Sequence, residues 1–390
     1  MKFNCLMNRY YGLKVVGFAV ATAVVSNVVQ AGPNFQVGEQ GYMQINYSLQ
    51  MWMQNRSYTS PSDDGDKWDT FLRRNRITFT GQYNDYVGFY AQLEAGSDSK
   101  DGNDDKPIYY RDAYMTLDSS DSVRFIVGRY KNTFSRENLE ACLEPLTLDR
   151  SMLSYTPFGG TRDTGATIWG NVADAMFQYR LSVSDGREDD SVVADTPRVT
   201  ARIHASFFDP EYSYGYRGTY LGTQKVLTLG AAVDMQSDVA YGDFDTKSDP
   251  KDYKATTVDL FYEQPFDFGT LTLSSALFDY SLDGYPTKPD ATMTPWTERS
   301  GNYVKVGYLM PKPVGMGRLQ LFSRVDHTEY GDNTGLSDAD GISFGMNYYI
   351  NGQEMKVTLE HASTEFDQED ANRFDLQNNS LTTLGLQMIF

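Results

Sequence analysis

From Met43 to Met53 the odd positions are Met43, Ile45, Tyr47, Leu49, Met51 and Met53, while the even ones include Gln44, Asn46, Ser48 and Gln50. A change of side-chain character at every residue is the period of an extended strand, not of a helix. The pattern recurs at Val87–Ala95, Phe177–Val183 and Val199–Phe207. It closes the chain with Leu384, Leu386, Met388 and Phe390, where only Ile389 is off the pattern. Sixteen such segments can be marked, with cores at 42–54, 71–83, 86–95, 108–117, 123–131, 164–170, 175–184, 198–208, 225–235, 254–263, 269–280, 301–310, 317–328, 341–350, 353–362 and 380–390. Most have the roughly 9 to 11 residues that a tilted strand needs to cross a bilayer.

The gaps carry independent information. Odd gaps are long and even gaps mostly short, with turn chemistry at Asn84–Asp85, Asn171–Asp174, Pro311–Met316 and Asn351–Gly352. One even gap, between Phe208 and Lys225, breaks the rule. An all-β sandwich would also alternate, but its connections need not sort by parity. A closed antiparallel transmembrane β-barrel requires both features, with apolar residues toward lipid, polar ones toward water, and long loops gathered at one rim. Closure also pairs every strand edge, as lipid demands. The expected fold is therefore all-β, a barrel of about sixteen strands forming one domain from residue 32 to residue 390.

The first residues supply the route to such a membrane. Lys2, Arg9 and Lys14 precede the apolar run Val15–Val25, too short to span a bilayer, and Val29 and Ala31 fit a signal peptidase site. Cleavage after Ala31 leaves 31 basic against 52 acidic residues, a net charge of −21. That balance argues against a nucleic-acid partner. At 40% hydrophobic content the chain lacks the continuous apolar sequence of a helical transporter. Cys142 remains as a lone thiol, expected to be a small buried residue.

With the strands placed, an ordered set of stretches resembles the phosphate-selective porin O and P family. They are FLRRNRITFTGQY (Phe71–Tyr83), YRDAYMTL (Tyr110–Leu117), VGRYKNTFSRENLE (Val127–Glu140), LDRSM (Leu148–Met152), RDTGATIWG (Arg162–Gly170), FGMNYYIN (Phe344–Asn351) and LGLQMIF (Leu384–Phe390). The resemblance implies a homotrimer of sixteen-stranded barrels in the bacterial outer membrane, each with its long third loop, here Asn132–Gly160, folded into the pore. It also implies that arginines at the FLRRNR position belong to an anion-conducting ladder, which carries over to Arg73, Arg74 and Arg76. One departure bears on the loop's path: family members often place a Pro before the Phe at the loop entry, where this chain has Asn132 and Thr133 before Phe134.

Parity assigns the wall charges. Inward basic residues are Arg74, Arg76, Arg124, Arg180, Arg198, Arg202, Lys305, Arg318, Arg324 and Lys356. Inward acids are Glu94, Asp112, Asp234, Asp259, Glu263, Asp326, Glu354 and Glu360. Arg73 has outward parity, Lys131 stands at the mouth of the third loop, and a bulge near Gly128 could exchange Arg129 and Tyr130. Arginine suits oxyanion passage because its planar fork keeps its charge and offers paired donors. The candidate pore-lining set is Arg73, Arg74, Arg76, Arg124, Lys131, Arg180, Arg202 and Arg324. The bland alternative is that these cations pair with facing acids and stiffen the wall.

Acidic stretches at Asp98–Lys106, Asp185–Asp195, Asp234–Asp252 and Thr364–Asp375 read as outer loops and would favour cations. His204, His327 and His361 find no convincing Ser or Asp partner, and neither a Gly-rich phosphate loop nor a Cys/His metal spacing is present. The expected function is passive diffusion of small hydrophilic solutes, with anion or phosphate preference, no metal or other cofactor, and outer-membrane lipid as surroundings. The alternatives are a general porin of weak cation preference and, from another class, a barrel hydrolase.

Overall fold

The computed structural model describes residues 32–58, 67–95, 107–156, 161–188, 193–243, 246–283, 298–334, 336–368 and 377–390. The proposed signal segment 1–31 and the acidic stretch 98–106 lie outside them. Seventeen strands follow in order: β1 (Asn34–Val37), β2 (Gly41–Tyr58), β3 (Lys67–Gln82), β4 (Val87–Glu94), β5 (Tyr109–Ser120), β6 (Val123–Lys131), β7 (Arg162–Val172), β8 (Phe177–Ser184), β9 (Arg198–Ser206), β10 (Val226–Asp243), β11 (Ser248–Phe266), β12 (Gly269–Ser281), β13 (Arg299–Leu309), β14 (Arg318–Tyr330), β15 (Ala339–Asn351), β16 (Met355–Phe366) and β17 (Asn379–Ile389). From β2 to β17 each strand pairs antiparallel with the next, and β17 returns to β2, so sixteen strands close a barrel.

All sixteen predicted segments are strands. The short β1 was not expected. It pairs with Gly41–Gln44 of β2, along the edge that β17 leaves vacant. There Tyr47 and Phe390 exchange backbone hydrogen bonds of 2.6 and 2.9 Å, and their rings lie 5.3 Å apart. Asp234–Asp252, expected as a loop, is instead mostly strand: β10 and β11 continue as a paired hairpin to Asp243 and Ser248. Glu354 lies just before β16, in the turn rather than the wall.

Burial is inverted relative to a water-soluble protein, as a lipid-facing barrel requires. On β9 Ile203 is 64% exposed while its neighbour Arg202 is 1% exposed. Val127, Leu181, Val258, Leu277 and Ile342 extend the exposed apolar band. No exchange occurs near Gly128, for Arg129 is exposed and Tyr130 buried, as uninterrupted alternation from Arg124 gives.

The connection from β6 to β7 is tied to distant parts of the inner wall. Ser135 caps a single helical turn, α1 (Arg136–Leu139), by accepting from the Asn138 amide at 3.1 Å. The following backbone is held by Tyr280 on β12, which donates to the Leu153 carbonyl at 2.5 Å. Asn347 on β15 donates to the Leu146 carbonyl at 2.8 Å, and Gln387 on β17 to that of Leu143 at 2.9 Å. The long even gap between β9 and β10 joins the same assembly. Ala141 donates to the Tyr216 carbonyl at 2.9 Å, Tyr216 to that of Leu139 at 3.2 Å, and Gly218 to that of Glu144 at 3.0 Å. Gly218 permits this approach because a Cβ there would stand 2.5 Å from the Leu146 amide nitrogen.

Candidate functional site

The stretch FLRRNR lies on β3, where alternation puts Arg74 and Arg76 on the inner face. A bulge intervenes: Arg74 pairs with Gln50 and Leu72 with Met51, which leaves Arg73 unmatched. The extra residue re-aims its neighbours. Phe71 therefore joins Trp52 and Leu148 in a buried inner cluster. Arg73, expected to face outward, instead reaches Asp149 of the β6–β7 loop at 2.6 Å, beside the Trp52 ring. Arg74 meets the other carboxylate oxygen at 3.3 Å. Burial alone would raise the Asp149 carboxyl, but Arg73, Arg74 and Arg150 outweigh it and hold it far below the usual carboxylate range.

Four candidates are engaged with the wall or the loops. Arg202 forms a double hydrogen bond with Asp259 at 2.6 and 2.8 Å. Arg124 binds Asp121 at 2.7 Å and lies over Trp169. Arg180 donates to the Tyr216 hydroxyl at 2.7 Å and the Tyr214 carbonyl at 2.6 Å. Arg324 bridges Asp326 at 2.6 Å and the Asp149 carbonyl at 2.9 Å. Arg124, Arg180 and Arg202 are at most 2% exposed. Pairing of this kind fixes shape and consumes donors a passing ion would use.

The remaining two, Arg76 and Lys131, border an open space. Between α1, the turn after β9 and strands β3 to β7 is a cavity of about 250 Å³, lined by Arg76, Lys131, Arg162, Tyr90, Tyr114 and Glu144 among others. Arg76 Nε donates to Glu94 at 2.9 Å, and Arg162 grips Asp112 at 3.1 and 3.0 Å. Lys131 is directed at the backbone carbonyls of Leu139 and Glu140 and forms no ion pair among the described residues. Cys142 is buried, as expected, but it sits on this cavity. Burial pushes its thiol up, yet Lys131, Arg150, Arg162 and Arg76 together bring it well below the ordinary thiol range.

Alternation did not disclose Arg162, which starts β7, nor the tyrosines at inner positions of β4 and β5. Tyr90 and Tyr114 are direct cross-strand partners, stacked at 5.1 Å and 12°. An aromatic ring at a polar-parity position was the available signal. The acids most tightly held by the loops, Glu137 and Glu211, were also missed because loops have no period.

The histidines occupy ordinary settings: His204 Nδ1 contacts the Tyr216 hydroxyl at 2.6 Å, His327 lies beside Asp340 and Glu329, and His361 bonds Thr382 at 2.9 Å. No cluster of His, Cys, Asp and Glu able to hold a metal occurs among the described residues.

Comparison with known proteins agrees with this architecture. An uncharacterized protein of Aquifex aeolicus is 24% identical over 367 residues, covering 85% of this chain and 83% of its own. The anion-selective porin from Comamonas acidovorans superposes with a TM-score of 0.61 at 11% identity, over 90% of this chain and 100% of that one. The outer membrane channel DcaP of Acinetobacter baumannii gives 0.56 at 15% identity, over 91% and 99%. The phosphate-selective porin O and P family matches residues 45–390, nearly the whole chain. The chain is therefore a porin and belongs to the phosphate-selective porin O and P family.

Proposed function

We propose that this outer-membrane porin conducts small hydrophilic solutes with a preference for anions, phosphate among them. The observation that carries the reading is the convergence of Arg76, Lys131 and Arg162 on one cavity, with Lys131 unmatched by acid among the described residues. Cations behind a low-dielectric wall focus their field on a passing ion. In this reading the β6–β7 loop crosses the bore and narrows it, which its hydrogen bonds to β12, β15 and β17 support. The likeness to an anion-selective porin supports the same sign. The working unit is a homotrimer, and the mature chain begins after removal of residues 1–31.

Of the eight candidates, Arg76 and Lys131 set the preference. Arg73 and Arg74 act in second place, through Asp149. Arg124, Arg180, Arg202 and Arg324 shape the wall. A weak cation preference is the competing reading, favoured by the mature charge of −21. Reversal potentials in planar bilayers under a salt gradient decide between them. Anion preference that falls in Arg76→Ala and Lys131→Ala supports the proposal; a cation-selective wild type removes it.

A further inference from the structure

The cavity combines a cationic edge with an aromatic wall, which a site for a bare inorganic ion has no use for. Tyr90 and Tyr114 stack in parallel, and Tyr130 meets Tyr114 edge-on at 6.3 Å. Tyr90 and Tyr114 are only partly covered, so they present ring surface to the space they line. The donors there are not exhausted. Arg76 is 2% exposed, and its Nη2 has no hydrogen-bond partner among the described residues. Tyr90 accepts from Gln92 at 2.9 Å, which leaves its hydroxyl proton to donate.

Acceptors stand beside these donors, in the carboxylates of Asp112 and Glu144. Asp112 is held by Arg162 at 3.0 Å and Glu144 by Arg217 at 2.9 Å. A flat apolar molecule would strip solvent from these carboxylates without replacing its hydrogen bonds, at a cost. A ring edged with hydroxyls satisfies them while its C–H surface rests on tyrosine. The volume of about 250 Å³ lies just below the roughly 300 to 1,000 Å³ usual for small-molecule sites, and suits a single ring.

We propose that this cavity is a binding station for a pyranose carrying an oxyanion, with the anionic group at Arg76 and Lys131 and the sugar ring against Tyr90 and Tyr114. The station rests on the anion-preferring reading and narrows it to a class of solute. A hexose phosphate and a uronic acid share this chemistry.

Single-channel block in planar bilayers tests it, with glucose 6-phosphate, glucuronate, glucose, benzoate and inorganic phosphate as probes. The expected result is half-block by glucose 6-phosphate at a concentration about tenfold below that of phosphate or glucose. That advantage over phosphate should disappear in Tyr114→Ala and persist in part in Tyr114→Phe, which keeps the ring. Glucuronate blocking as well as glucose 6-phosphate places the recognition in ring plus charge, while its failure beside an effective glucose 6-phosphate restricts the occupant to the phosphate form. Equal block by phosphate and glucose 6-phosphate in the wild type overturns the station, as does tighter block by benzoate. The reversal potential of the same channels is read independently, so an anion-selective channel without sugar discrimination sinks the station alone.

Discussion

Arg136 in α1 donates to both carboxylate oxygens of Glu211, at 2.7 and 2.8 Å, although strand parity brings the two segments in from opposite rims of the barrel. The guanidinium is flanked by Phe261 at 3.9 Å and Tyr216 at 4.5 Å, and both charges are almost fully covered. Tyr220 and Thr228 also donate to the carboxylate. This buried ion pair, its carboxylate met by four donors, links the β6–β7 loop to the turn after β9.

Breaking that pair leaves a buried charge alone, which costs about 3–5 kcal/mol. Glu211→Ala should therefore loosen the loop on the turn, where backbone hydrogen bonds such as Ala141 to Tyr216 still join them, with larger and noisier unit conductance in planar bilayers. Unchanged conductance and noise would show that the strand contacts hold the loop without it.

Acid should act on the same link. Burial raises the Glu211 carboxyl, but Arg136 and its hydrogen bonds outweigh it and bring the carboxyl down to about 2. A carboxylate depressed in the folded state stabilises fully above its unfolded value of about 4.3. The contribution is lost as pH falls through the folded value, so the noise should rise below about pH 4 and be spent near pH 2. Glu211→Gln should remove that acid dependence.

Lipid outside and water inside impose the period of two on each spanning strand, so every wall strand could be read from the chain. That same regularity concealed Arg73. A single unmatched residue turns it toward Asp149, and nothing in FLRRNR marks the bulge. The gap between Phe208 and Lys225 was visibly too long for a short turn, but length alone says nothing about direction. Its docking depends on Glu211 and Tyr216 meeting α1, a contact between residues 75 apart for Arg136 and Glu211. Charge count misled in another way. The wall has many inward arginines, yet contacts decide which remain available: Arg202 is held by Asp259, whereas Lys131 meets backbone carbonyls and no acid among the described residues.

Asp149 masks Arg73 and Arg74 at the inner wall. Asp149→Asn keeps the shape and most hydrogen bonding while removing the negative charge. The expected outcome is a reversal potential shifted further toward anions at low salt, with the shift shrinking as ionic strength rises. A shift toward cations would contradict the masking role.

Arg202 provides the contrast. Its double hydrogen bond to Asp259 is buried, and Arg202 does not itself line the cavity but meets it through Tyr216, whose hydroxyl accepts from its Nε at 3.4 Å. Arg202→Ala should weaken the barrel by about 3–5 kcal/mol, since Asp259 is left unpaired, and lower the temperature at which heat-modifiable mobility on gels is lost. Ion selectivity should change less than in Lys131→Ala. The reverse order would place the conducting path along β9 rather than along β3 to β7.

Cys142 reports the potential of the cavity directly. Its thiol is held low by Lys131, Arg150, Arg162 and Arg76 despite burial, and this raises the share of thiolate, the form that reacts. The same cations attract anionic reagents and repel cationic ones. A sulfonate-bearing methanethiosulfonate should therefore modify Cys142 faster than its trimethylammonium counterpart, by about tenfold at low salt. Lys131→Ala should narrow the difference, because it removes a cation that has no acid partner among the described residues. Modification should also lower conductance, since the added group enters the cavity itself. A faster cationic reagent would mean that Asp112 and Glu144 dominate the field, and the anion preference would fall with it.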